Sequence, residues 1–63
     1  MQELSNEKLK EICDSIHNGQ KKQAREWIRE LNALQVANFI MRASNYALPR
    51  HSAYVQVQIA LGE

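Results

Sequence analysis

The sequence predicts an all-α fold, a small bundle of three to four short helices that is expected to dimerise. Three observations carry this reading. Apolar residues recur at helical spacing through the first half of the chain. Start and stop signals bracket those runs. Neither glycine nor proline interrupts residues 20–48.

The first helix is expected over Asn6–His17. Leu9, Ile12, Cys13 and Ile16 repeat at i, i+3, i+4 and i+7 and share one stripe. Ser5 is placed to accept a hydrogen bond from the first turn, and Leu4 and Leu9 occupy the two positions of a hydrophobic staple. Asn18-Gly19 is the stop, because glycine enters the left-handed region without steric cost.

A second helix starts near Gln20 or Lys21 and is expected to reach at least Leu31, with Ala24, Trp27, Ile28 and Leu31 facing inward. Leu31-Asn32-x-x-Gln35-Val36 then reads as staple residue, N-cap, capping-box partner and staple partner. This favours a turn or kink at Asn32 and a third helix from Ala33 to about Asn45, over one continuous rod. Leu48 must leave the helical region because Pro49 follows it.

Residues 53–61 carry two patterns. Val55, Val57, Ile59 and Leu61 alternate with Tyr54, Gln56, Gln58 and Ala60, as in a strand. At helical spacing, Ala53, Tyr54, Val57, Ala60 and Leu61 form one face. A lone strand has no partner within the chain, so helix is favoured. The alternative architecture keeps the helices and pairs residues 53–61 as a strand across a dimer axis.

Length and composition set the frame for function. Sixty-three residues form a single small helical domain, residues 1–63. With 44% apolar and 24% charged residues the composition is globular, and the net charge of +1 gives no strong pull toward anionic partners. Cys13 is the only cysteine, which excludes an internal disulfide. There is no apolar run of membrane-spanning length and no signal-peptide pattern, so a cytoplasmic protein without membrane contact is expected.

The average conceals two unlike halves. Residues 1–30 hold six basic and six acidic side chains, whereas residues 31–63 hold only Arg42, Arg50 and Glu63. Apolar residues number nine in the first thirty positions and nineteen from Leu31 to Leu61. That apolar excess is expected to exceed what a monomer can bury, and so to meet another chain.

Chemistry-bearing constellations are sparse. Cys13 and His17 are helical neighbours, but a cysteine on the apolar stripe behaves as a small hydrophobe, and His51 is the only obvious third metal ligand. No cofactor or metal is expected. The chain lacks a glycine-rich phosphate loop, paired histidines and a nucleophile elbow, and a non-enzymatic protein is expected. A helix-turn-helix fits neither register. With the turn at Gly19, Asp14, Asn18 and Arg25 take core positions; at Asn32, Asn38 turns inward and bulky Ile28 replaces a small residue.

The leading expectation is therefore a small interaction or regulatory protein that binds another protein, itself, or both. Steric inhibition is the mechanism open to it, as in many small phage and plasmid regulators. Phe39, Arg42, Tyr46, Arg50, Tyr54, Val55 and Ile59 are its candidate contact residues, because aromatic, arginine and apolar side chains dominate protein interfaces. The alternative is a dimeric DNA- or RNA-binding regulator with Lys21, Lys22, Arg25 and Arg29 on phosphates.

Overall fold

A computed structural model describes residues 3–62; Met1, Gln2 and Glu63 of the expected 1–63 domain lie outside the described residues. The described chain is all-helical, with four α-helices and no strand: α1 (Asn6–His17), α2 (Lys21–Arg29), α3 (Ala33–Arg42) and α4 (Arg50–Gly62), with a 3-10 turn at Ala43–Tyr46 between α3 and α4. Its extents are 30 × 26 × 18 Å.

α1 begins and ends as its sequence signals. The Lys8 N–H donates to Ser5 Oγ at 3.2 Å, and Leu4 and Leu9 are both buried. At the other end Gly19 adopts φ +82°, its N–H donating to Ile16 O at 3.2 Å while Gln20 N–H donates to Ser15 O at 2.7 Å. Those two crossed bonds make a Schellman motif, which satisfies carbonyls that the last turn leaves open.

α2 ends at Arg29, short of the expected Leu31. Glu30 and Leu31 close it with tight bonds to the carbonyls of Trp27 and Ile28, each 3.1 Å. The reason is the strength of the next start signal. Gln35 N–H donates to Asn32 Oδ1 at 2.9 Å and Asn32 N–H donates to Gln35 Oε1 at 3.0 Å, completing a capping box. Leu31 and Val36 pack together with the core as the flanking apolar pair. The continuous rod is thereby excluded.

α3 stops at Arg42 instead of Asn45, because its last turn tightens into the 3-10 segment. A second Schellman motif follows, with Ala47 N–H to Ser44 O at 3.2 Å and Leu48 N–H to Ala43 O at 3.1 Å. Here the left-handed residue is Ala47, φ +62°. Leu48 drops into the core beside Ala43, and Pro49 accepts the first bond of α4 from Ala53 N–H at 3.0 Å.

The strand alternative for residues 53–61 is not what forms: the segment is helical throughout. The helical face also differs from the expected one. Ala53, Gln56, Val57 and Ala60 are buried, while Tyr54 and Leu61 stay 49% and 54% exposed. Gln56 can turn inward because Arg25 donates to its Oε1, so no buried amide oxygen is left unpaired.

α2 packs against α1 and α4, α3 packs against α4, and the 3-10 turn joins α1, α3 and α4. Phe39, Leu9, Ile12, Ile28 and Cys13 are the largest side chains wholly withdrawn from solvent. Accessible surface totals 4079 Å², close to the ~4,200 Å² that size scaling gives a folded monomer of 7.3 kDa. The apolar second half is thus accommodated better than its count suggests. Six of its nineteen apolar residues are alanines, and three of these, Ala43, Ala53 and Ala60, are buried at little cost in volume.

Candidate interaction surface

The seven expected contact residues separate into three groups. Phe39 is wholly buried and belongs to the core, which corrects its assignment to an outer surface. The period of α3 places it opposite Leu34 and Met41, which are 36% and 65% exposed. Arg42 is half-buried and engaged within the chain. Its Nη1 donates to Leu4 O at 2.8 Å and to Asn38 Oδ1 at 3.3 Å, and its Nη2 donates to Asn6 Oδ1. Tyr46 is half-buried against the core, and its carbonyl accepts from His17 Nε2 at 3.1 Å.

Val55 and Ile59 are half-buried on the flank of α4. Arg50 and Tyr54 are exposed, and with Leu61 they fall on one side of that helix at i, i+4 and i+11. α3 presents a comparable outer stripe, Leu34, Ala37 and Met41, at i, i+3 and i+7. Leu34, Met41 and Leu61 were not among the expected contact residues. The signal for the first two was present, since fixing Phe39 inward puts both on the far side of α3.

The basic stripe on α2 divides in the same way. Lys21 and Lys22 are exposed at its start. Arg25 Nε donates to Gln56 Oε1 at 3.1 Å, and Arg29 Nε donates to Ala60 O at 2.9 Å. Both guanidinium groups therefore bridge α2 to α4, and the four cations do not form one continuous track.

Cys13 lies in the core, where burial, helped by the neighbouring Asp14 charge, pushes its thiol up to about 11. A thiol held neutral at ordinary pH is a poor nucleophile. His17 turns toward the Tyr46 carbonyl, and His51 is exposed at the start of α4. Among the described residues, no three His, Cys, Asp or Glu side chains gather as a metal site.

Two open depressions mark the surface. One, of about 380 Å³, is bordered by Gln20, Lys22, Gln23 and Glu26. The other, of about 280 Å³, lies where the first residues meet the α2–α3 junction, lined by Glu3, Lys8, Trp27, Glu30 and Gln35 among others. Lys8 Nζ sits 4.6 Å from the Trp27 ring centroid and 3.6 Å from Glu11 Oε2. That aromatic face already holds a cation of its own. Among the described residues no helix is long and apolar enough to cross a membrane.

The chain matches no protein-family model, no curated protein and no solved structure.

Proposed function

We propose that the chain is a non-enzymatic binding protein that acts by covering a surface of another protein, with α3 and α4 making the contact. One observation carries the reading. Among the described residues, the large apolar side chains most open to solvent are Leu34, Met41, Tyr54 and Leu61, and all four belong to these two helices. Charge is almost absent there: α3 and α4 contain only Arg42 and Arg50 as full charges, and Arg42 is engaged internally. Exposed apolar side chains with little surrounding charge match the composition of interface cores.

Phosphate binding has less support, because two of its four cations bridge α2 to α4. Steric occlusion remains the mechanism, and a second copy of the chain is an admissible partner. The test compares the natural protein with a Met41→Glu/Tyr54→Glu double variant. Both sites are exposed, so helicity and melting temperature should be retained. Self-association in sedimentation at micromolar concentration, or reproducible capture of a partner protein, should be lost in the variant. A natural chain that neither self-associates nor captures a partner removes the proposal, as does binding indifferent to both substitutions.

A further inference from the structure

We propose that α4 is a conditional helix, one that folds only as it docks, and that it opens ahead of α1 with Arg25 and Arg29 as its latch. This concerns the motion of α4 and stands independently of the binding reading. Taken alone, the segment is a poor helix. Val55, Val57 and Ile59 are β-branched through its middle, and thirteen residues is near the length at which even good helix formers are marginal in water. Its first turn has no acidic side chain and its last turn no basic one, so its own sequence does nothing for the helix dipole.

Its helicity must then come from contacts, and the apolar ones are small. α4 contributes Ala53, Val57 and Ala60 to the core, whereas the five largest fully buried side chains all lie outside it. Apolar stabilisation follows buried area, so α1, with Leu9, Ile12 and Ile16 inside, is held more firmly than α4. Val55 and Ile59 add half-buried flanks, and the rest of the attachment is polar. Arg25 and Arg29, four apart on α2, reach Gln56 and Ala60, four apart on α4. The second bond places a cation on the last turn of α4, which the segment itself does not supply.

Low apolar burial with a polar tether marks the parts of a fold that open below the global limit. Native-state hydrogen exchange by NMR on the intact chain tests this. Backbone amides of Val57–Ala60 should exchange at least about tenfold faster than the slowest amides of α1, with weaker dependence on denaturant. Ile12→Val should accelerate the slowest α1 amides about fivefold and leave α4 unchanged, because the contacts of Ile12 persist when α4 is open. Arg29→Met, which keeps the aliphatic stem, should accelerate both sets, since it weakens the closed state from which every opening starts. Amides of α4 protected as strongly as those of α1, or accelerating with them in Ile12→Val, would overturn the proposal.

Discussion

Gly19 and Ala47 hold the same station in two Schellman motifs, with φ of +82° and +62°, yet only one of them is a glycine. An L-residue in the left-handed region costs about 1–2 kcal/mol relative to glycine. Gly19→Ala should therefore lower stability by about 1 kcal/mol, purely through the backbone, since a Cβ there meets nothing within 4 Å. Ala47→Gly should act oppositely, gaining about 0.5 kcal/mol after the greater freedom of the unfolded glycine chain is subtracted. Thermal melts of the two variants should shift in opposite directions. The Cys13 thiol offers a second check. With its ionisation raised to about 11, the folded chain disfavours the thiolate that the unfolded chain forms from about 9 upward. This contribution to stability is intact below pH 9 and is lost as pH rises toward 11. At pH 8 a thiol reagent should label the native protein at least about a hundredfold more slowly than a free cysteine.

At the scale of elements, short-range signals set where the helices begin and end. The Asn32–Gln35 box joins residues three apart and was legible as a pattern, as were the Ser5 cap and the Gly19 stop. Asn32→Ala should lose about 1 kcal/mol and leave Leu31 and Val36 without a defined entry angle, measurable as a lower urea midpoint. The end of α3 was less legible. Nothing in Ala43–Tyr46 announces a 3-10 turn, and an alanine at the left-handed position is not a stop signal by type. The turn forms there because Pro49 bars Leu48 from continuing the helix while the core takes the Leu48 side chain. α4 was ambiguous for a comparable reason. Its alternating β-branched residues fit a strand, and only packing against α2 and α3 selects the helix.

For the molecule as a whole, stability is modest, about 3–9 kcal/mol at this length. Phe39→Ala empties the centre of the core and should cost about 3–5 kcal/mol, enough to unfold much of the population at physiological temperature. Charge at Met41, by contrast, should leave the melt nearly unchanged while acting on association. The contrast, read by circular dichroism and sedimentation on the same samples, separates what holds the fold from what the fold offers outward. α3 has a buried side at Phe39 and an exposed one at Leu34 and Met41. Apolar composition alone does not distinguish the two sides, and so Phe39 reads as surface although it is buried.

The division between sequence and tertiary structure follows contact distance along the chain. The sequence by itself determined the helical class, the caps of α1 and α3 and the break at Asn32, because each rests on bonds between residues three to five apart. Only the tertiary structure decided the state of residues 53–61 and the fates of Arg25, Arg29 and Arg42. Their partners lie 31, 31 and up to 38 residues away. A guanidinium reads as solvated charge until a carbonyl or amide from a distant segment is brought within hydrogen-bonding distance of it. That placement is the outcome of packing, which no local pattern encodes.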